Sequence, residues 1–288
     1  MRFSGSFLAG VATITAAALS TGATLLPNAT SLSERGTTSS TKRGLAWAAD
    51  SRWAPTIAKG MINWYWHWED GPLTVLNGQV AIEYVPCYWG PRKSSQWSQR
   101  KAEFSKNGLP AYILAQNEID VSSQANQGAS DAAATWAKSL APYQAQGVKI
   151  TSPQIVWNVK LLQETASILK SQYGLEWDVT AIHWYGGSDS KSLASFKSYV
   201  QKVRSAFPNK PIWVTELGVT TASGGTQDQV KTFHMNAIRW LNSLGYVDRV
   251  SWFGCFATPP DNYGSKLNRF FNSNGSLRGL AYWYMYTS

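Results

Sequence analysis

Short apolar runs alternate with longer amphipathic stretches along most of the chain. Eight of the apolar runs are predicted β-strands, at residues 44–47, 61–64, 81–86, 111–115, 148–152, 179–183, 212–215 and 250–253. Between several of them, apolar residues recur at steps of three and four, which predicts helices over 130–144, 161–173, 193–207 and 227–244. Repeated strand–helix units indicate an α/β fold with parallel strands.

The spacing of the predicted strands fits one closed barrel. They recur about every 30 residues, which is the length of a compact βα unit in an eightfold barrel. A chain of 288 residues with 44% hydrophobic composition can bury such a core without crosslinks. We therefore predict an α/β fold of the (β/α)8 TIM-barrel type as a single domain over residues 44–288, with a last helix in 277–286 packed over the bottom or side of the barrel.

The beginning of the chain has a different pattern. Residues 1–23 have the pattern of a secretory signal peptide: Arg2 is followed by an apolar run over 7–19 and by small residues over 20–23. The apolar run is too short to span a bilayer. Residues 24–43 are polar and aperiodic, which predicts a pro-segment or a disordered arm. Lys42-Arg43 is either a dibasic processing site or the polar start of the first strand. We expect export to an extracellular or cell-wall location.

Composition limits the kinds of ligand. The formal charge of +9 comes from Lys and Arg scattered singly, without a basic run or a nucleic-acid-binding motif. The three His and two Cys show no spacing that suits zinc. We expect a monomer with no metal, no cofactor, no nucleic-acid partner and no membrane contact once the signal peptide is removed.

The two cysteines leave two interpretations open. An even count in an exported protein suggests a disulfide between Cys87 and Cys255. However, these residues fall near the ends of the third and eighth predicted strands, which are not neighbours in a ring of eight, and a disulfide needs Cα atoms within about 7 Å. The placement favours free, buried thiols unless loops bring the two together.

Two glutamates lie where a TIM barrel carries its chemistry, at the carboxyl ends of strands. Glu118 follows the fourth predicted strand and Glu216 the seventh, so both are expected at the same mouth of the barrel. If the carboxyl groups lie about 5 to 5.5 Å apart, one can attack an anomeric carbon while the other protonates the leaving oxygen and then activates water. The pair therefore predicts glycosidic bond cleavage.

The two glutamates are expected to differ in protonation. Glu118, as the acid/base, must hold a proton near the working pH, whereas Glu216, as the nucleophile, must be ionised. The competing interpretation is that either residue caps a helix or forms an ion pair at the rim. A pair at matching strand ends favours the active-site interpretation.

Several further motifs follow one another along the chain, and together they are more specific than the glutamate pair. They lie at residues 42–46, 64–68, 83–86 with 89–90, Asn117-Glu118-x-Asp120, 152–153, 183–186, 211–216 and 252–253. Over residues 42–284 the sequence resembles glycoside hydrolase family 128, the fungal wall proteins also named for an alkali-sensitive linkage. The characterised members of that family cleave β-1,3-glucan.

The resemblance implies a retaining endo-β-1,3-glucanase that acts on cell-wall β-glucan. It also implies that Asn117 bonds the sugar 2-OH, that Tyr185 donates to Glu216 and lowers its pKa, and that His183 joins the same network. For His183 the alternative is a structural histidine of the core. The sequence departs from the family pattern with Ile119 in place of Pro and His67 in place of Asn, and the second departure bears on sugar contacts.

The 15 tryptophans support a carbohydrate ligand independently of the family. Flat aromatic faces suit the CH-rich faces of pyranose rings. The candidate sugar platforms lie at or just past strand ends, with Trp89 and Trp252 foremost; the full set is Trp66, Trp68, Trp89, Trp184 and Trp252. Residues on or beside helical faces are interpreted as packing residues, namely Trp136, Trp157 and Trp240.

Other functions are compatible with the sequence. A non-catalytic β-glucan-binding wall protein could keep the barrel and its aromatic residues, and a glycosidase of another β-linkage would need only different loops. A serine esterase is disfavoured because the sequence lacks a Gly-x-Ser-x-Gly motif. The sequon at Asn274 predicts glycosylation of an exported chain, as does the one at Asn28 if its segment is retained.

Overall fold

The computed structural model describes residues 42–68, 71–77 and 82–287. The predicted signal peptide, residues 24–41 of the predicted arm and the sequon at Asn28 lie outside these residues. Arg43 is buried as the first residue of the first strand, and its guanidinium donates to the Tyr284 carbonyl over 2.7 Å. The ammonium group of Lys42 donates to the Leu244 carbonyl over 2.6 Å. These contacts support the interpretation of the basic pair as the start of the first strand.

All eight predicted strands are present at the expected places. They are β1 (Arg43–Trp47), β2 (Ile62–Trp66), β3 (Glu83–Tyr84), β4 (Tyr112–Ile113), β5 (Lys149–Ile150), β6 (Thr180–Gly186), β7 (Ile212–Val219) and β8 (Val247–Cys255). Six of them form a sheet in the order β3-β2-β1-β8-β7-β6, and β4 pairs with β5, all in parallel.

Three parallel bridges join these two sheets into a ring. Cys87 pairs with Leu114, which connects the end of β3 to the end of β4. Thr151 pairs with Val179 and Ile155 with Ile182, which connects β5 to β6. The predicted single-domain TIM barrel is thereby confirmed for the described residues, and all eight strands direct their carboxyl ends to one mouth.

Helices follow the strands and pack around the barrel. They are α1 (Ala54–Ile57), α2 (Ser94–Asn107), α3 (Ala129–Ser139), α4 (Ala141–Gln144), α5 (Val159–Tyr173), α6 (Ser190–Ala206), α7 (Gln227–Ser243) and α8 (Gly279–Tyr286). The helix predicted over 130–144 is divided at Leu140, because Pro142 in the first turn of α4 has no N–H to continue α3. Among the described residues, the helices fall short of the length and apolar character that a bilayer crossing requires.

Large aromatic side chains fill the interior of the barrel. Trp64, Trp66 and Trp213 pack there against aliphatic residues of other strands. Gly44 makes this packing possible, because a Cβ atom at that position would overlap the Trp64 ring. A second apolar layer lies between the strands and the helices, so the long strands β1, β6, β7 and β8 are largely buried on both faces.

Arg249 lies among the interior aromatic rings. Its guanidinium carbon is 4.3 Å from the centroid of Trp213, 4.7 Å from Tyr112 and 5.3 Å from Trp64. The same guanidinium pairs with the Glu83 carboxylate, which connects β8 to β3 across the barrel. Because the charge is both paired and enclosed by aromatic faces, it can be accommodated in this apolar interior.

The two cysteines are buried thiols that are not joined in a disulfide, as their placement favoured. Cys87 lies in the interior cluster of the barrel, whereas Cys255 packs in the outer apolar layer. Burial raises the pKa of the Cys255 thiol well above its usual value. Its reactivity in the folded protein is accordingly low.

Helix α8 packs against the outside of the first and last strands, as expected for the final apolar run. The Tyr284 hydroxyl contacts the carbonyl oxygens of Gly44 and Val250, at 2.9 and 3.1 Å. The backbone N–H of Met61 donates to the Met285 carbonyl over 2.7 Å. The helix therefore closes the seam at which the chain's last strand meets its first.

Near this seam, His234 of α7 is fully buried and stacks on Trp252, with ring centroids 4.3 Å apart and planes 2° apart. Burial, and then the positive charge of Arg43, hold the pKa of His234 well below its usual value. The imidazole is therefore neutral in the folded protein over the ordinary pH range. Below pH about 6.5, His234 of an unfolded chain would bind a proton that it does not bind in the folded chain.

This difference predicts an acid-dependent loss of stability. Because the folded-state pKa of His234 is depressed, its favourable contribution is complete above pH about 6.5 and falls as the pH decreases, by up to about 1.4 kcal/mol per pH unit. Urea unfolding of His234→Phe between pH 7.5 and 4.5 should show a shallower pH dependence than wild type. Phe233→Leu, a packing change in the next residue, should lower stability without changing that slope; equal slopes in wild type and His234→Phe would contradict the prediction.

Candidate active site

Glu118 and Glu216 come together at the carboxyl-end mouth of the barrel. Both are largely buried, with exposed fractions of 8% and 3%. Each offers a carboxylate oxygen to a cluster with His183 in which the three atoms lie within 4.8 Å of one another. One oxygen of each carboxyl group therefore lies close to the other residue's, so both groups face one point in the mouth.

A β-bulge in β7 directs Glu216 into the barrel. The pairing with β6 shifts between Ile182 and His183, and the pairing with β8 shifts between Val214 and Leu217. Strict alternation would direct consecutive side chains to opposite faces, but the Thr215 side chain contacts interior groups and so does Glu216. The bulge thus re-aims the glutamate toward the mouth, as bulges near active sites commonly do.

Glu118 lies in a backbone conformation that few non-glycine residues adopt, with φ of 49°. Its carbonyl accepts from Val121 N–H over 3.1 Å, and the next residue, Ile119, donates its N–H to the Gln154 carbonyl over 3.1 Å. These main-chain bonds hold the turn that presents the carboxyl group. A left-handed residue retained at a functional position is consistent with strain that the surrounding structure compensates.

Glu216 accepts hydrogen bonds on both carboxylate oxygens. Trp68 Nε1–H donates to Oε1 over 2.7 Å, and the Tyr185 hydroxyl donates to Oε2 at short distance. Burial raises the pKa of Glu216 to about 7, opposed by the charge of His183 and by the two donors and reinforced by the Glu118 carboxylate. The ionised form expected of a nucleophile is therefore disfavoured by burial and supported by these donors.

His183 lies between the two carboxyl groups. Its Nδ1 is 2.8 Å from Glu118 Oε1 and 3.4 Å from Glu216 Oε1, while Nε2 is 3.0 Å from Gln154 Oε1. Burial alone would lower the pKa of His183, but the charges of Glu216 and Glu118 outweigh it and raise the pKa above the usual value. Its polar contacts to both carboxyl groups distinguish it from a histidine that only fills the core.

An open cleft of about 900 Å³ lies over the glutamate pair. Six of the sequence-predicted site residues line it, namely Trp68, Trp89, Asn117, Glu118, Tyr185 and Glu216. The amide of Asn117 donates to Gln124 Oε1 over 3.3 Å. Four predicted residues lie outside this lining: His183 and Trp66 beneath it, and Trp184 and Trp252 in the outer layer.

The interpretation of Trp252 as a sugar platform is wrong. Its side chain is 0% exposed, stacks on His234 and donates its Nε1–H to the Asn268 carbonyl over 3.0 Å. Trp252 pairs in register with Leu45 and Leu217, which also belong to the outer layer. Its face is therefore directed at the helices and cannot contact a substrate.

Trp184 and Trp66 also differ from the expected role. The Trp184 ring stacks on Phe233, with centroids 5.4 Å apart, and its centroid lies 5.2 Å from that of Phe196. Trp184 therefore packs between β6 and the helices. Trp66 is fully buried inside the barrel, donates to the Thr215 carbonyl over 3.2 Å, and lies 4.7 Å from the Trp68 ring. It supports Trp68 from below instead of contacting the cleft.

Sequence analysis did not assign three aromatic residues of the cleft lining to the site, namely Trp157, Phe253 and Tyr263. Trp157, interpreted as a packing residue, is 56% exposed and lines the cleft, and Tyr263 is 51% exposed in the loop after β8. Trp157 lies seven residues past β5, in the segment before α5. Its place in a loop at the carboxyl end of a strand, and not its nearness to a helix, was the signal that could have identified it.

Asp120 holds the loop that carries Trp157. Its carboxylate accepts the backbone N–H groups of Val156, Trp157 and Asn158 over 2.9 to 3.0 Å. Asp120 lies two residues past Glu118 and Asn158 caps α5. One carboxylate thus ties the glutamate turn after β4 to the exposed tryptophan after β5.

The cluster of Glu118, His183 and Glu216 could also be considered as a metal site, and it is the one such group among the described residues. However, both Glu216 oxygens accept hydrogen bonds from Trp68 and Tyr185, and both imidazole nitrogens face groups of the site. Because these groups are hydrogen-bonded to one another and to donors of the barrel, the arrangement favours acid–base and nucleophilic chemistry over cation binding.

Comparison with protein families matches residues 44–284 to the model of the glycosyl hydrolase catalytic core. Alkali-sensitive linkage protein 1 of Schizosaccharomyces pombe is 28% identical over 249 residues, which cover 82% of this chain and 43% of that protein. The chain therefore corresponds to less than half the length of this curated relative.

Solved structures with the same fold include three described as glycoside hydrolase family 128. A curdlan-specific exo-β-1,3-glucanase from Blastomyces gilchristii is 26% identical with a TM-score of 0.68, covering 85% of this chain and 98% of that chain. Endo-β-1,3-glucanases from Sorangium cellulosum (23% identity, TM-score 0.72, 85% and 97% coverage) and Amycolatopsis mediterranei (23%, 0.68, 85% and 98%) share the fold. The latter was solved with laminarihexaose.

The contacts of Asp120 predict a role in stability and in the order of the cleft. Asp120→Asn removes the charge that three N–H groups share, so we expect the free energy of unfolding to fall by about 2 kcal/mol. Hydrogen exchange should become faster at residues 156–158. Asp131→Asn, in the exposed first turn of α3, serves as the control. Unchanged exchange at residues 156–158 in Asp120→Asn would show that other contacts hold the loop.

Proposed function

The chain belongs to the glycosyl hydrolase catalytic-core family, and the relatives that it matches are members of glycoside hydrolase family 128. From this premise we propose that it is a secreted, retaining endo-β-1,3-glucanase that acts on cell-wall β-glucan. The family expected from the motifs is confirmed. The observation that carries the proposal is the pair of buried carboxyl groups, Glu118 and Glu216, with one oxygen of each within 4.8 Å of the other at the mouth of the barrel. A close pair supports the retaining mechanism, in which carboxyl groups about 5 to 5.5 Å apart allow direct attack on carbon, whereas a separation of about 6.5 to 9.5 Å leaves room for a water.

The reaction proceeds in two displacements. Glu216 attacks the anomeric carbon as Glu118 transfers its proton to the departing glycosidic oxygen, which leaves a glycosyl–enzyme ester. Glu118, now a carboxylate, removes a proton from water as the water attacks the same carbon. The second step releases Glu216 and returns the proton to Glu118, and the product keeps the β-configuration.

The groups around Glu216 support its role as the nucleophile. Tyr185 and Trp68 donate to its oxygens and hold the carboxylate in one orientation. The nucleophile needs its charge before attack and loses it on forming the ester, so donors that favour the ionised form counteract the effect of burial. We assign Asn117, beside Glu118 and on the cleft surface, to the sugar 2-OH.

The cleft supports a polymeric sugar substrate. About 900 Å³ is at the upper end of the range for small-molecule sites, so the space is larger than one pyranose ring needs. Trp68, Trp89, Trp157 and Tyr263 give the cleft aromatic faces at its base and rim. The related structures are β-1,3-glucanases of both endo and exo type, and we assign internal cleavage to this chain.

The setting of the protein is part of the proposal. The N-terminal pattern supports export, and Asn274, in an exposed turn, is accessible for glycosylation. We assign the protein to the extracellular space or cell wall as a monomer whose partner is β-glucan. The alternative functions are a β-glucan-binding protein without activity and a glycosidase of another β-linkage.

The proposed function predicts the effect of replacing either glutamate. Glu118→Gln and Glu216→Gln should each lower kcat on β-1,3-glucan by about 10² or more, because each removes a reacting group. Wild type is tested in parallel on mixed-linkage glucan, β-1,6-glucan and cellulose. Early products of several lengths indicate endo cleavage. Glu164→Gln, an exposed glutamate of α5, is the matched control and should retain the wild-type rate.

Azide separates the two roles. With Glu216→Ala, azide replaces the nucleophile and should yield a glucosyl azide of α-configuration from an activated β-glucoside. With Glu118→Ala, azide attacks the glycosyl–enzyme intermediate and should yield the β-azide. The reverse pattern would exchange the assignments. Wild-type protein that binds β-1,3-glucan but cuts none of the polymers would identify a binding protein instead.

The proposed function also predicts how the pH dependence of kcat/KM changes when Tyr185 is replaced. The Tyr185 hydroxyl lowers the pKa of Glu216, so Tyr185→Phe should raise that pKa by about 1 unit. Because attack needs ionised Glu216, the acidic limb of the kcat/KM profile should move to higher pH. Tyr263→Phe, whose ring lies edge-on to Tyr185 at 5.1 Å, is the control and should leave the limb in place. An unmoved acidic limb in Tyr185→Phe would separate this hydroxyl from the ionisation of the nucleophile.

A further inference from the structure

Gln154 is a fully buried glutamine that the reaction scheme does not use. Its Nε2 group lies 3.1 Å from the Ala115 carbonyl oxygen. Its Oε1 atom lies 2.7 Å from the Thr215 hydroxyl and 3.0 Å from His183 Nε2. The amide therefore contacts three neighbouring segments of the barrel beneath the glutamate pair.

The Ala115 carbonyl fixes the orientation of this amide. A main-chain carbonyl can only accept, so the group that faces it must be the NH2 end of Gln154. The opposite orientation would place two acceptors 3.1 Å apart in a buried site. The oxygen end of Gln154 must therefore face Thr215 and His183.

The orientation of Gln154 determines the tautomer of His183. Because Gln154 Oε1 is an acceptor, the Nε2 atom of His183 that faces it must carry a hydrogen. In a neutral imidazole with Nε2–H, the other nitrogen, Nδ1, is an acceptor. The direction of one buried amide thus decides whether the imidazole nitrogen that faces the reacting carboxyl groups donates or accepts a hydrogen bond.

The Nδ1 atom of His183 lies 2.8 Å from Glu118 Oε1. Without a proton between them, a neutral His183 and an ionised Glu118 would present lone pairs to each other at hydrogen-bonding distance. A proton is therefore shared by the pair, whether it resides on the carboxyl group or on the imidazole. The charged and titratable groups that act on this proton are Glu216, Glu118 and, farther away, Asp120.

Gln154 also holds the main chain on both sides of the acid/base. Its N–H donates to the Gln116 carbonyl over 2.8 Å, and its carbonyl accepts from Ile119 N–H over 3.1 Å. The residues that it binds flank Glu118, whose φ is 49°. The same residue thus orders the turn of Glu118 with its backbone and the proton partner of Glu118 with its side chain.

We propose that Gln154 is a positioning residue that fixes the Nε2–H tautomer of His183, so that Nδ1 and Glu118 hold in the resting site the proton that is later given to the leaving group. The opposite tautomer would donate from Nδ1 to Glu118 and would stabilise the ionised form of Glu118, which has no proton to give to the leaving group. Its kinetic consequence rests on the proposed glycosidase function, whereas the tautomer itself does not.

Long-range proton–nitrogen NMR of 15N-histidine-labelled protein tests the tautomer directly. His67→Gln and His234→Phe assign the signals, since the chain has three histidines. For His183 we expect Nε2 to stay protonated across the pH range while only Nδ1 titrates. A neutral form with its hydrogen on Nδ1 would overturn the proposal. This wild-type measurement decides the tautomer even if a variant fails to fold.

Gln154→Met keeps the length of the side chain but removes the acceptor. We expect the neutral His183 of this variant to move its hydrogen to Nδ1, where Glu118 accepts it. Gln154→Glu, as a carboxylic acid, can donate to the Ala115 carbonyl and still accept from His183 Nε2–H, so it should keep the wild-type tautomer. Gln116→Met removes a neighbouring buried amide that binds the Ala132 carbonyl, and it should leave the His183 signals unchanged. A Gln154→Met protein that keeps Nε2–H would contradict the proposal.

The pH dependence of hydrolysis gives the second measurement. In Gln154→Met the basic limb of kcat/KM should move to lower pH by about 1 unit, and kcat should fall about 10-fold. KM should change little, because Gln154 is absent from the lining of the cleft. A basic limb of kcat/KM at the same pH in wild type and in Gln154→Met would show that Gln154 does not control the proton of Glu118. Inactive wild-type protein with the expected tautomer would instead refute the proposed function and leave the tautomer assignment intact.

Discussion

Two carboxyl groups in a buried site, with one oxygen of each within 4.8 Å of the other, are the constraint around which the rest of this barrel is organised. Like charges at that distance and in that environment disfavour one another, so a stable site needs donors to one carboxylate and a proton beside the other. Trp68 and Tyr185 donate to Glu216, and His183 shares a proton with Glu118; these side chains come from two different strands or their ends. The mouth of the barrel is where such groups can converge on a single point.

The interior beneath the mouth keeps these donors in place. Trp66 supports the Trp68 ring from below, and the amide of Gln154 holds His183 by its second nitrogen. The Thr215 hydroxyl joins the same amide, and the bulge after Thr215 turns Glu216 inward. Substrate-facing residues and buried polar residues therefore form one network, so that a change two contacts away from the sugar can alter proton transfer.

The aromatic residues show how far local pattern reaches. Trp252 lies within β8 and Trp89 in the loop after β3, and the first faces the helices whereas the second faces the cleft. Side chains on a strand alternate between faces, and a single bulge reverses the alternation. Because the bulge in β7 and the register shifts of β8 are not visible in the sequence, the side on which Trp252 lies could not be inferred.

The sequence by itself determined the eight strands, the barrel and the convergence of Glu118 and Glu216, because each follows from periodicity and from the common direction of parallel strands. The family followed from the order of its motifs. Only the tertiary structure decided that Trp157 is exposed and that Gln154 orients His183. Those contacts join segments that are distant along the chain, and their geometry depends on bulges, loop anchors and amide orientation that no local pattern encodes.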